Sequence, residues 1–331
     1  MKQTILTGIK PTGSVHIGNY FGAIIPAIEL SQTQDANFFY FIADYHALTT
    51  VKDAKTLSNQ TYEVAAAWLA CGLNPEKVVF YKQSDIPEIF ELTTILTNLT
   101  PKGLMNRAHA YKALVQENKA NNLDEDHNIN MGLYNYPILM TADIVAFNAT
   151  KVPVGKDQKQ HVEIARDIAK AFNNRYGKCL VETQPQIKQE VALITGTDGR
   201  KMSKSYNNII GLFENEDQLL KKINRLVTDS KGIDEPKGTD NAVFELYALF
   251  ANKQQTEAFK QQLESGISWG QAKKELFNLA NSVLAPLREK YNYYMQNKHL
   301  IDEILQKGQQ KAREVASETL IRVKKAIGVA K

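Results

Sequence analysis

Lys201-Met202-Ser203-Lys204-Ser205 sets two lysines three residues apart in a loop flanked by Gly and Ser. As flexible point charges, the two ammonium groups can reach one polyphosphate. Thr197-Asp198-Gly199-Arg200 leads into them. Near the N-terminus, Gly8-Ile9-Lys10-Pro11-Thr12-Gly13-Ser14-Val15-His16-Ile17-Gly18-Asn19 follows an apolar, β-prone run and opens a helix. Glycines there let a ligand approach the backbone closely. A helix start offers free N–H groups and the positive end of the dipole, which suit phosphate. His16 adds a donor able to stabilise charge as it develops. Each pattern alone also fits a plainer reading: a basic surface loop for the first, a Gly/Pro turn with a chance histidine for the second.

A third pattern lies in the middle of the chain. On a helix, Tyr136, Met140, Asp143, Ile144 and Phe147 share one face. Asp143 is the odd member, because a carboxylate on an apolar face is costly unless something donates to it. A donor-only ring N–H, such as that of indole, would suit it. The alternative is a capped or salt-bridged aspartate. No nucleophilic Ser/His/Asp or Cys/His set is evident.

The elements that carry these residues alternate through the first half. Thr4–Ile9 reads as a strand, Lys10–Gly13 as a turn and Ile17–Leu30 as a helix. The continuous aromatic run Asn37–Ile42 reads as a buried strand of a parallel sheet. Ala54–Ala70 is a helix stopped by Gly72-Leu73-Asn74-Pro75, Val78–Tyr81 a short strand, and Glu88–Leu99 a helix. This order implies a doubly wound α/β unit, whose ligands bind outside the carboxyl ends of the strands. Residues 101–130 are polar and weakly patterned, and read as a mobile insertion. Tyr136–Asn148 is a helix, Lys151–Val154 a strand and Asp157–Asn174 a long helix. From Leu212 onward the pattern is almost wholly helical. In the last segment Ile301, Ile304, Leu305, Gly308, Ala312, Val315, Ala316, Thr319, Leu320, Val323 and Ile327 form one apolar stripe that must dock on something.

Bulk properties exclude several classes. The 331 residues suggest two or three domains at roughly 100–200 residues each. No run of about 18 apolar residues occurs, so neither a membrane span nor a membrane partner is expected. The N-terminal apolar run is too short for a signal peptide. Two cysteines, Cys71 and Cys179, support neither a CxxC metal site nor a disulfide framework, and no protein-bound metal is expected. A reducing cytoplasmic setting follows. Net charge is +4, but residues 284–331 carry 10 Lys/Arg against 5 Asp/Glu. That surplus fits either a polyanion or a solvated helix face.

His16-Ile17-Gly18-Asn19 resembles the HIGH motif of class I aminoacyl-tRNA synthetases, and Lys201 to Ser205 is identical to their KMSKS motif. Within that class, Val152-Pro153-Val154-Gly155-Lys156-Asp157-Gln158-Lys159-Gln160-His161 resembles the VPVGxDQKQH stretch of the tryptophanyl branch. Tyr136 to Ile144 resembles its YPxLMAADIL helix, and Asp44-Tyr45-His46-Ala47-Leu48-Thr49 its DxHAxT stretch. The matches span residues 4 to about 330.

The resemblance implies a Rossmann-type catalytic domain over 1–206 and an all-α C-terminal region. The helices of 207–295 are expected to read the tRNA anticodon, and 296–331 to pack back on the catalytic domain. The reaction implied is ATP-dependent charging of tRNA(Trp) with L-tryptophan through tryptophanyl-adenylate, with Mg²⁺ on the ATP phosphates. His16, Lys201 and Lys204 are implied as the catalytic residues. Lys10, Pro11, Thr12, Gly18, Asn19, Gly155, Lys156, Asp157, Ala192, Met202, Ser203 and Ser205 are implied, with Lys201 and Lys204, at the nucleotide. Asp143, Tyr136, Met140, His46 and Gln158 are implied around tryptophan, with Leu6, Gly8, Val152 and Val154 as walls. Outside that context His46 reads as a buried structural histidine. The insertion carrying Lys112 and Lys119 is expected to close over ATP, with no assignment between the two.

Asn19 stands where HIGH ends in His, as is frequent in this branch. Lys156 stands where the branch commonly has Glu, which puts a side-chain role there in doubt. Phenylalanine lacks the N–H that Asp143 would select, so no editing domain is needed. The family state implied is a homodimer, with no DNA partner. The rivals are a tyrosyl enzyme, a HIGH-motif nucleotidylyltransferase that does not use tRNA, and a non-catalytic RNA-binding paralogue. An iron–sulfur cluster needs more cysteines than two.

Overall fold

The computed structural model describes residues 2–155, 158–187 and 194–330. Five strands form one parallel sheet: β1 (Gln3–Ile9), β2 (Ala36–Ile42), β3 (Val79–Lys82), β4 (Lys151–Val154) and β5 (Gln184–Ile187), in the order β3-β2-β1-β4-β5. The chain runs outward from β1 to β3, then returns to lay β4 on the other side of β1. The switch point therefore falls between β1 and β4, where a crevice opens at the strands' carboxyl ends.

The aromatic run of β2 explains why both faces are covered. Side chains alternate across a sheet, so Phe38, Tyr40 and Ile42 enter one core while Phe39 and Phe41 enter the other. The first core is completed by helix Ala54–Ala70 and helices beyond residue 207. The second is completed by helices Met131–Ala146 and Lys159–Tyr176 and by the C-terminal helix. A strand buried on both faces needs apolar residues at every position, and β2 supplies them.

The structure corrects or extends the sequence reading in three places. Ile17–Leu30 is not one regular helix: Ile17–Asn19 passes through a π-helical segment, Tyr20–Ile24, into helix Ile25–Thr33. Pro26 is the physical reason, since it has no N–H to give the Gly22 carbonyl and its ring crowds that group. The weakly patterned insertion does carry helices, Lys102–Met105 and His109–Ala120, and Lys119 pairs with Glu125 at 2.9 Å. Strand β5 was not foreseen: Gln184-Pro185-Gln186-Ile187 is short and polar, and proline is tolerated there because β5 lies at the sheet edge.

The C-terminal helix, Lys298–Ala326, runs along β3 and helix Pro87–Thr97. Ile301, Leu305, Gly308, Ala312, Ala316, Leu320 and Val323 of its stripe are buried. Gly308 permits the approach: a Cβ there would stand 1.7 Å from the Phe80 carbonyl oxygen of β3. Arg313 grips Glu88 at 3.0 Å, Ser317 donates to the same oxygen at 2.9 Å, and Lys324 pairs with Glu91 at 2.7 Å. Before it, helix Trp269–Gln296 lies on helix Ala54–Ala70. Gly308→Val must push helix and strand apart, and overpacking of this kind costs about 2 kcal/mol or more. Urea unfolding should show a lowered midpoint; an unchanged midpoint would contradict the close approach.

Candidate functional site

The nucleotide-type half is built where β1 ends. Thr12 N–H donates to the Lys10 carbonyl at 2.9 Å, and Gly13 adopts φ +69°, closing the turn that Pro11 and Gly13 encode. His16 starts the next helix, and its own N–H donates to the Asn19 side-chain oxygen at 3.2 Å. Glycine at 18 leaves room for the His16 ring, since a Cβ there would lie 2.9 Å from it and displace it. The His16 ring is buried, and its Nδ1 finds no hydrogen-bond partner among the described residues. Burial, with the Lys204 charge second, pushes its pKa down to about 4. The imidazole is therefore neutral at pH 7 and keeps one N–H to donate.

The second loop is held against this turn. Lys204 Nζ donates to the Thr12 carbonyl, and the lysine chain lies 3.3 Å from where a Gly13 Cβ would be. Crowding desolvates the ammonium and lowers its pKa, with Glu63 opposing. The segment beyond the loop is stapled to the start of the helix: Ile17 N–H donates to Ile210 at 3.0 Å, and Leu212 N–H to Val15 at 2.9 Å. Met202 anchors the loop in the core, the Ser203 and Ser205 hydroxyls bond at 2.8 Å, and Lys201 is exposed.

Asn208 organises the loop and was not singled out in the sequence. Buried, it accepts from Ser203 N–H at 2.7 Å and donates to Asp198 at 2.7 Å and to the Lys201 carbonyl at 3.0 Å. That bond, with Arg200, holds the Asp198 carboxyl down to about 2. An asparagine just past a Gly-Arg-Lys loop is a weak signal without structure.

The other half forms at the ends of β2, β3 and β4. Helix Met131–Ala146 is capped by Asn130, whose side chain accepts from Leu133 N–H at 2.9 Å. It buries Asp143 to 1% exposure. His46, in the turn Asp44–Ala47 after β2, meets Asp143 Oδ2 through Nε2 at 2.8 Å. Gln83, in the turn after β3, donates to both Asp143 oxygens at 2.9 Å. Burial raises the Asp143 pKa, and the bonds from His46 and Gln83 oppose that rise. Gln83 was missed in the sequence, although its place at the carboxyl end of a strand pointed to it.

Tyr136 lies on the same helix as Asp143, edge-on to His46 with centroids 6.3 Å apart. Its hydroxyl bonds His161 Nε2, and His161 Nδ1 meets the Gln158 amide oxygen at 2.9 Å. An amide oxygen only accepts, so Nδ1 carries the proton and Nε2 accepts from Tyr136. Lys10 lies over the Tyr136 ring, its Nζ 5.8 Å from the centroid, so the two halves of the site meet there. Leu6, Val152 and Val154 share one apolar cluster, with Met140 packed against it. A Cβ on Gly8 would strike the Phe41 ring and carbonyl at 2.7–2.9 Å, which keeps that wall thin. Gly155 is exposed just beyond β4. Lys156, Asp157 and Ala192 lie outside the described residues.

The site thus joins a glycine turn with lysines and a neutral histidine to a pocket around buried Asp143, whose carboxylate accepts from Gln83 and meets His46. Known proteins match this chain over nearly its whole length. The family model for class I tRNA synthetases (W and Y) matches residues 1–285. The tryptophan–tRNA ligase of Neisseria meningitidis serogroup A is 50% identical over 330 residues, covering 99% of this chain and 98% of its own. That of Pseudomonas aeruginosa is 49% identical over 333 residues, covering 99% and 74%. The crystal structure of Campylobacter jejuni tryptophanyl-tRNA synthetase, complexed with ADP and tryptophan, superposes with a TM-score of 0.90 at 41% identity, covering 98% of this chain and 100% of that one. The chain belongs to the class I tRNA synthetases of the tryptophan and tyrosine family.

Proposed function

We infer that this protein attaches L-tryptophan to tRNA(Trp), using ATP. The observation that carries the choice of amino acid is Asp143, a buried carboxylate on the apolar wall whose Oδ1, among the described residues, is bonded to Gln83 alone. An indole N–H is a donor and nothing else, and Oδ1 keeps capacity to accept it. His46, Gln158 and Tyr136 border the same pocket, with Met140, Leu6, Gly8, Val152 and Val154 as its walls.

In the first step a tryptophan carboxylate oxygen attacks the α-phosphorus of ATP. The bond to the β-phosphate bridging oxygen breaks, and pyrophosphate leaves. Lys201 and Lys204 balance charge on the leaving group, and His16 donates to a phosphate oxygen without adding charge of its own. Lys10, Pro11, Thr12, Gly18, Asn19, Gly155, Met202, Ser203 and Ser205 cradle the nucleotide, with Asp157, Lys156 and Ala192 as further contacts. Mg²⁺ belongs to the substrate, carried on the phosphates with water completing its shell. In the second step a ribose hydroxyl of the terminal tRNA adenosine attacks the acyl carbon, and AMP leaves.

The helices of 207–295 are assigned to the anticodon, and the 296–331 helix to bracing the catalytic domain (1–206). The same reading includes a homodimer and a cytoplasmic setting. Tyr45 and Leu48, exposed after β2 with Tyr45 edge-on to Phe90, supply apolar surface for a second subunit. No described helix is long and apolar enough to cross a membrane.

Asp143→Ala should lower kcat/KM for tryptophan by about 100-fold and collapse the preference for tryptophan over phenylalanine. Unchanged selection in that variant would sink the assignment. The pH profile tests His16. With its pKa at about 4, the ring is neutral throughout pH 6–8 and contributes no step there. Protonation sets in only as the pH falls toward 4. A step near pH 6.5 in wild-type kcat/KM, which reports the free enzyme, that disappears in His16→Gln would contradict this.

A further inference from the structure

Gln83 is fully buried, and each polar end of its amide is committed to another residue of the pocket. The nitrogen donates to Asp143 Oδ1 and Oδ2, both at 2.9 Å, and the oxygen accepts from the His46 backbone N–H at 3.3 Å. Its turn is clamped to the His46 turn by a further buried acid. Asp44 accepts from Ser84 N–H and Tyr45 N–H, each at 3.0 Å, and from the Ser84 hydroxyl. The ends of β2 and β3 are thereby locked together directly behind the Asp143 carboxylate.

We propose that Gln83 is a positioning residue for amino-acid selection, fixing the plane of the Asp143 carboxylate so that Oδ1 faces an indole N–H. The inference rests on the reading of Asp143 as the indole acceptor. Carboxylate rotation about its terminal torsion is soft, with no sharp rotamer wells to hold it. His46 grips one oxygen only, Oδ2. Gln83 contacts both oxygens and so resists rotation of the group. Among the described residues Oδ2 then carries two donors and Oδ1 one, which leaves Oδ1 as the oxygen with room for the substrate. Because the amide is neutral, it orients the carboxylate without forming an ion pair that would compete for it. Ser84 and Asp44 act one step further back, by holding the turn that carries Gln83.

The test is ATP–pyrophosphate exchange by the full-length protein with L-tryptophan and with L-β-(3-benzothienyl)alanine, in which sulfur replaces the indole N–H. Wild type should prefer tryptophan strongly. In Gln83→Met, the tryptophan KM should rise about tenfold with kcat changed far less, as expected for one misaligned hydrogen bond. The analogue should be much less affected, so the tryptophan-to-analogue ratio narrows about tenfold, and the KM for ATP stays as in wild type. A purely structural role would weaken both substrates together. Equal losses, or an unchanged ratio, would therefore overturn the inference while leaving the Asp143 reading intact. A wild type that does not prefer tryptophan over the analogue would overturn that reading, and this inference with it. Ser84→Ala keeps the amide and loosens its turn; a ratio narrowed about threefold is expected. If Gln83→Met does not fold, an unchanged ratio in Ser84→Ala overturns the inference.

Discussion

Burying a carboxylate among apolar side chains is tolerable only when donors reach its oxygens, and the ends of three strands are arranged around that demand. Asp143 comes from the helix before β4, His46 from the turn after β2 and Gln83 from the turn after β3. None of the three can move without leaving a buried polar group unsatisfied. The parallel sheet fixes the distances among these turns, because β2 and β3 are in register from Phe39–Val79 to Ile42–Lys82. The aromatic residues of β2, packed on both faces, hold that register. An acid held in this way can discriminate between two flat aromatic rings of similar shape, because the ring lacking an N–H leaves the acceptor unused.

The phosphate half works by the opposite device. Its charges lie on a loop and a turn rather than in the core. Lys201 is exposed, and Lys204 rests on the Thr12 carbonyl, a contact that a phosphate can replace. The staple between Val15–Ile17 and Ile210–Leu212 keeps loop and turn together while leaving the lysine side chains free to change partners. The neutral His16 keeps a donor in place without adding a third positive charge to the site. On the proposed assignment, a rigid amino-acid pocket beside an adaptable phosphate site suits a reaction that depends on positioning and charge.

The strands and helices that carry the site were legible because their patterns are strong. The continuous aromatics of β2, the turn after β1 and the apolar stripe of the last helix each fix an element of secondary structure, whatever ligand or partner it meets. Asp143 stood out as a carboxylate on an apolar helix face, but the pattern alone left a salt-bridged aspartate equally open, and the structure does pair it with His46. Gln83 and Asn208 were not legible, because a lone amide has no periodicity and its partners are far off in sequence. Asp143 is 60 residues from Gln83. Strand β5 was hidden by its polar edge sequence, and the π-helical segment by an otherwise regular apolar pattern around Pro26. The helices of the insertion were masked by a composition rich in Asn and Lys.

In the proposed function, buried Asp143 chooses the amino acid while a separate lysine and histidine set serves ATP. Amino-acid-dependent ATP–pyrophosphate exchange, run with each of the twenty amino acids in the presence of Mg²⁺ and without tRNA, tests it most directly. Exchange with tryptophan alone is the predicted result. Exchange with tyrosine in its place would keep the fold and the phosphate chemistry but contradict the role of Asp143. No exchange with any amino acid would contradict the account as a whole.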